Sequence, residues 1–195
     1  MKKFTNIATH DVMIQNGYIE SKQFILDYMP KNSVGLEIGV WKGTFSKFIN
    51  SNKKLSHFYL CDPWSYQPEF PQSWYGGTLS KEQKDMDKIY ELVNNEFKNL
   101  DHVSIIRDYS SNLPNYIQPN SLDWVYIDGN HAYEYVVQDL KISFDLVKSK
   151  GFIFGDDYVG VHPGVVKAFN EFLEEYKDKV EKIEIKNSQI VIKKL

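Results

Sequence analysis

Apolar and polar positions along the chain fall into two alternating patterns. Short apolar runs at 34–39 (VGLEIG), 57–62 (HFYLCD), 103–108 (VSIIRD), 122–128 (LDWVYID) and 151–156 (GFIFGD) show no strict in–out alternation, so they predict strands buried on both faces. Between them apolar residues recur at helical spacing. One helix is predicted after Gly43, in TFSKFINS. A second places Met86, Ile89, Leu92, Val93 and Phe97 on one face, with Ser80 and Gln83 spaced as a capping box. A third carries Val136, Val137, Leu140, Phe144 and Val147, and a fourth opens on Pro163 and turns Val166, Phe169 and Phe172 or Leu173 inward. A further helix, roughly Glu20 to Tyr28, precedes the first strand and ends before Pro30.

Parallel neighbours need crossover helices, so this alternation predicts an α/β fold with a doubly wound, mostly parallel, Rossmann-like sheet. VEKIEIK and SQIVIKK, joined near Asn187, alternate strictly and predict an antiparallel hairpin that completes seven strands. Residues 1–195 are expected to form a single domain, with a helical N-terminal segment over 1–33. The stretch PWSYQPEFPQSWYGGT (63–78) fits neither pattern. Its prolines, paired glycines and aromatics follow a strand C-terminus, where loops surround the ligand crevice, and predict a substrate lid over 63–80.

Composition narrows the functional classes. A net charge of −3 with no basic stripe argues against a nucleic-acid partner. The single cysteine, Cys61, excludes an intramolecular disulfide and makes the cytoplasm the default expectation. The polar N-terminus lacks the apolar core of an export signal, and no run of roughly 18 apolar residues predicts a membrane span. The short N-terminal helix and abundant aromatics allow a homo-oligomer.

Chemistry concentrates where the predicted strands end. In LEIGVWKGTFS (36–46), Gly39 and Gly43 turn the chain into a helix N-terminus, and Glu37 points a carboxylate into the same crevice. A dinucleotide site would show Gly-x-Gly-x-x-Gly and no acid facing the diphosphate, which disfavours a nicotinamide oxidoreductase. Glu37 is placed to accept from an ammonium group. Asp62, about twenty residues on, is positioned to accept from both hydroxyls of a ribose or to cap the turn before Pro63, and Trp64 offers an aromatic wall. Asp128 ends the fourth strand, and Asp156 and Asp157 end the fifth. Three converging carboxylates repel unless a cation or protons neutralise them, and oxygen ligands favour a hard ion such as Mg²⁺. The alternative is that these residues cap helices and turns. His131, three residues past Asp128, has the pKa of about 6.5 that suits a general base, though a helix cap or additional ligand fits the same position. His162, beyond the fifth strand, receives no role.

The glycine turn with Glu37 resembles the first motif of class I S-adenosyl-L-methionine (SAM)-dependent methyltransferases, and Ser46 falls within the same segment. EIGVWKG, DPW, YIDGNHAYEYVVQDL and GDDY followed by GVVKAFNEF together resemble the metal-assisted O-methyltransferases of the macrocin and mycinamicin type, relatives of catechol O-methyltransferase. The resemblance implies SAM held by Glu37, Gly39, Gly43, Ser46, Asp62, Trp64 and Asp128, with Asp108, Tyr109 and Ser110 as candidates at the adenine. It implies Mg²⁺ on Asp128, Asp156 and Asp157. Asp128 and His131 would be catalytic, and the acceptor a small-molecule hydroxyl, most favourably a vicinal diol of a sugar. Rival readings are methyl transfer to nitrogen or carboxylate without metal, and a non-catalytic nucleotide-binding domain.

Overall fold

Every predicted strand forms, because each apolar run is short and rich in β-branched or aromatic residues; β3, at the sheet edge, is only half-buried where burial on both faces was expected. A computed structural model describes residues 19–195; the rest of the predicted N-terminal segment, 1–18, lies outside them. The strands are β1 (Ser33–Ile38), β2 (Leu55–Cys61), β3 (Val103–Ile106), β4 (Leu122–Ile127), β5 (Val147–Gly155), β6 (Val180–Lys186) and β7 (Gln189–Lys194). They make one seven-stranded sheet of order β3-β2-β1-β4-β5-β7-β6. The first five run parallel, while β7 is antiparallel to both β5 and β6. Asn187 and Ser188, both at positive φ, make the tight turn of this hairpin.

Helices cover both faces: α1 (Thr44–Asn52), α2 (Gln83–Phe97), α3 (Tyr133–Leu146) and α4 (Pro163–Glu175). One apolar layer joins α1, α2 and the N-terminal segment to the sheet through Phe45, Ile49, Met86, Phe97, Ile25 and Leu26. The other joins α3 and α4 through Val136, Leu140, Ala168 and Phe169. The N-terminal segment is α-helical over 19–22 and continues as a 3-10 helix, Gln23–Tyr28.

Four local expectations are corrected. The capping box does not form: Glu82 is the N-cap of α2 without a side-chain bond, and Gln83 instead donates to the Trp64 carbonyl and accepts from the Tyr66 N–H. Leu92 is exposed, because the buried face of α2 needs only Met86, Ile89, Val93 and Phe97. Val147 already belongs to β5, and α4 buries Val165 and Ala168 where Val166 was expected. Among the described residues, no helix is long and apolar enough to cross a membrane.

Candidate active site

Parallel strands end on the same side, and their register decides what meets there. Ile38 pairs with Cys61 on one side and Ile127 on the other, and Ile127 pairs with Gly155. The next residue in each strand therefore falls into one row: Asp62, Gly39, Asp128 and Asp156. That row forms the floor of a cavity of about 1390 Å³, which is also lined by Glu37, Tyr109, Ser110, His131, Asp157 and His162. Crevices outside strand C-termini are where open α/β sheets bind ligands.

Gly39 is indispensable to this floor. Its φ is +88°, and a Cβ there would stand 2.0 Å from the Asp128 carbonyl oxygen, so the turn after β1 and the turn after β4 approach as closely as backbone allows. Glu37 is buried beneath it, accepting a 2.5 Å hydrogen bond from the Ser46 hydroxyl. Burial pushes its carboxyl up to about 8, so a cationic partner is what would ionise it fully. Asp62 accepts from the backbone N–H groups of Trp41 (2.9 Å) and Trp64 (2.8 Å) and from the Tyr75 hydroxyl (2.6 Å). A ribose hydroxyl reaching Asp62 Oδ2 would exchange one O–H donor for another, displacing Tyr75.

Several predicted cofactor residues lie off the cavity. Trp64 is fully buried, packed against Tyr90, with its indole N–H donating to the Trp41 carbonyl. The aromatic wall is built by Trp41, Trp74 and Tyr75, whose rings meet at 5.6 and 4.9 Å. Gly43 serves as the left-handed N-cap of α1 and faces Phe97 and Val93. Ser46 acts through Glu37. Asp108 accepts from Tyr109 N–H, Asn112 and Tyr116 and secures its own turn, leaving Tyr109 and Ser110 at the cavity. The loop after β2 borders the cavity: Gln67, Phe70 and Trp74 line it, and Phe70 meets Tyr135 of α3 edge-on at 5.9 Å.

The three aspartates do converge, yet their counter-charge was not visible in the strand pattern. Lys22, only 1% exposed, brings its ammonium 2.8 Å from Asp128 Oδ2 and into direct contact with Asp156 Oδ2. It also sits 5.2 Å from the ring centres of Phe45 and Tyr126. Asp156 Oδ1 is taken by the Gln189 amide and the Asp157 N–H. Burial raises the Asp156 carboxyl, but Lys22 and its hydrogen bonds outweigh this and hold it below the usual range. Burial, then the charge of Asp156, push Asp128 up to about 7. The donor set as arranged does not fit Mg²⁺, because Asp156 has both oxygens engaged and the Lys22 ammonium already lies against both carboxylates.

Asp157 stands apart from Lys22 and holds His131. Its Oδ2 is 3.0 Å from His131 Nε2 and 3.9 Å from His162 Nε2, and the two imidazole rings meet at 4.3 Å. The hydrogen bond to Asp157 raises the His131 pKa despite partial burial. His162 and Lys22 are the site residues that periodicity alone could not place, since each reaches the cavity from outside the strand ends.

Buried carboxyls with raised pKa make stability depend on pH, Glu37 and Asp139 beside Asp128 and Asp62. Burial raises Glu37 to about 8 and Asp139 to about 7, well above unfolded carboxylates. The native state therefore holds protons that the unfolded chain has lost, and this contribution, full below about pH 4, fades as pH rises towards 8. Urea midpoints of the ligand-free protein are expected to fall between pH 5.5 and 8.5. A flat or rising profile would contradict neutral carboxyls at these positions.

An acid under a glycine turn, a second acid at the tip of β2 and a crevice across the strand ends of a seven-stranded sheet define a SAM-dependent methyltransferase of the class I fold. The chain belongs to the family described as Methyltransferase domain, which it matches over residues 36–158. It is similar to a Streptococcus mutans protein, SMU.1697c, solved in complex with S-adenosylhomocysteine (SAH), with 15% identity, TM-score 0.61 and coverage of 91% of this chain and 97% of that one. It also resembles a Methanococcus maripaludis protein described as SAM-dependent (15% identity, TM-score 0.63, covering 100% and 96%) and the O-methyltransferase NovP (16% identity, TM-score 0.59, covering 94% and 78%). At these identities the likeness is one of fold. In sequence it is 24% identical over 141 residues to the uncharacterized protein R132 of Acanthamoeba polyphaga mimivirus, covering 71% of this chain and 58% of that protein's length.

Proposed function

We propose that the protein transfers the methyl group of SAM to a hydroxyl of a small molecule, a sugar or sugar-containing metabolite, with His131 as the base. The observation that carries this reading is the His131–Asp157 pair, 3.0 Å apart at the cavity wall. A carboxylate on one imidazole nitrogen fixes the ring's tautomer and leaves the other nitrogen for a proton. The aromatic lid with interspersed amides, Gln67 and Gln72 among Trp41, Phe70, Trp74 and Tyr135, suits a ring bearing hydroxyls, and the resemblance of the IDGNHAY segment to sugar O-methyltransferases agrees.

In this mechanism Glu37 receives the ammonium of SAM and Asp62 its ribose. The acceptor oxygen attacks the sulfonium methyl in line; a C–O bond forms, the C–S bond breaks, SAH leaves and His131 takes the hydroxyl proton. The chain contributes position and exclusion of water around the reacting centre. Lys22 offsets part of the charge of Asp128 and Asp156, so no step is assigned to a divalent ion.

Methyl transfer from labelled SAM to a panel of sugars and nucleotide sugars, in buffer containing EDTA, tests the reading. His131→Ala is expected to lower kcat by about 10²–10⁴-fold. The raised His131 pKa predicts a rate that climbs with pH through a midpoint above ~6.5, and Asp157→Asn should move that midpoint down. An unchanged rate in His131→Ala would end the base assignment.

A further inference from the structure

Two histidines and a carboxylate meet at the cavity wall, and His162 has no function in the chemistry above. His131 Nε2 and His162 Nε2 both face Asp157 Oδ2, at 3.0 and 3.9 Å. One ligand atom from each of the three residues lies within 4.8 Å of the other two. All three side chains are partly exposed and line the cavity, so an ion can reach them.

The backbone holds this arrangement in place. Asp157 stands at positive φ (54°), and the chain then turns back on itself. Val159 N–H donates to the Asp157 carbonyl (2.7 Å) and His162 N–H to the Val159 carbonyl (2.9 Å). His162 becomes the N-cap residue of α4, yet its imidazole makes no capping bond. The first turn of α4 presses on the turn before α3: a Cβ at Gly164 would lie 2.6 Å from the His131 carbonyl oxygen. Glycine at that position lets the two histidines approach one carboxylate.

The donor set selects the class of ion. Two imidazole nitrogens and one carboxylate oxygen suit Zn²⁺ and its borderline neighbours, whereas Mg²⁺ prefers oxygen ligands. Ligands at about 2.0–2.2 Å around a tetrahedral Zn²⁺ stand roughly 3.4 Å from one another. The separations of 3.0 and 3.9 Å bracket that value, so small side-chain rotations suffice. Three protein ligands leave a fourth position facing the cavity.

We propose that His131, Asp157 and His162 form a binding site for Zn²⁺ or a related borderline divalent ion. One consequence concerns the base. Without an ion, His131 donates from Nε2 to Asp157 and accepts a proton at Nδ1. An ion on Nε2 takes that nitrogen's lone pair, so the neutral ring carries its proton on Nδ1 and can accept no other. Ion binding and proton removal by His131 then exclude each other. This consequence rests on His131 being the base; the ion site does not.

Titration calorimetry of the metal-free full chain with ZnCl₂ and with MgCl₂ tests the site without knowing the methyl acceptor. The wild-type protein is expected to bind Zn²⁺ at least ~100-fold more tightly than Mg²⁺. His162→Ala and His162→Gln should each weaken Zn²⁺ binding about 10-fold or more. Zn²⁺ held no more tightly than Mg²⁺ by the wild-type protein would overturn the proposal even if the variants do not fold, and so would full Zn²⁺ affinity in either variant. In the methyl-transfer assay without EDTA, Zn²⁺ should stop turnover and EDTA restore it. Selective Zn²⁺ binding that leaves turnover untouched would support the ion site and overturn the base assignment, so the two fail separately.

Discussion

Lys22→Met is expected to destabilise the protein by about 3–5 kcal/mol, the usual cost of removing one partner from a buried ion pair. Methionine keeps the length of the stem and removes the ammonium, together with its approach to the rings of Phe45 and Tyr126. Without the ammonium, Asp128 and Asp156 face each other in a largely buried site, and the Asp156 carboxylate loses what holds its pKa down. Both carboxyls then titrate at higher pH in the variant than in the wild-type protein. The destabilisation should therefore be largest above pH 7 and shrink as the pH falls and the pair takes up protons. Urea unfolding at pH 5.5 and pH 8 measures both effects. A loss below about 1 kcal/mol at pH 8 would show the pair behaving like an exposed salt bridge.

Gly39→Ala is the second large effect, expected to cost about 2–5 kcal/mol from left-handed strain combined with overpacking. The added carbon would lie 2.0 Å from the Asp128 carbonyl oxygen and 2.4 Å from its carbon, and both neighbours are backbone that cannot swing away. Relief requires the turn after β4 to retreat from the turn after β1. That movement breaks the bond from Asp128 N–H to the Ile38 carbonyl, now 2.8 Å, and carries Asp128 and His131 away from Glu37. SAM affinity should fall together with the melting temperature. Gly160→Ala is the matched control, since a Cβ there meets nothing within 4 Å; a similar loss in both variants would refute the close-approach account.

The strands and the acids at their ends were legible because the same local chemistry specifies both. A run such as WVYI can only be a doubly buried strand, and a charge directly after it, Asp128, must stand at the sheet edge. The long loop at the cavity was legible as a loop from prolines and glycines that no regular element tolerates. Trp64 misled for a related reason: an aromatic beside an acid at a strand tip resembles a cofactor wall, but the backbone turns it into the core while Trp41, one strand away, takes the wall. Leu92 and Ser80 fail because helical periodicity gives a face and not its width, and because a capping pattern competes with other partners for Gln83.

The sequence by itself determined the class of fold, the succession of strands and helices along the chain, the hairpin and the acids at the strand ends, since each depends on residues adjacent in the chain. Only the tertiary structure decided how the charges are balanced. Lys22 comes from a helix 106 residues before Asp128, His162 from beyond β5, and Asp139 from the second turn of α3, and no periodicity links them. Electrostatic partnership inside a cavity depends on distance and burial, which the sheet register and the packing of the N-terminal segment set after the local pattern has formed.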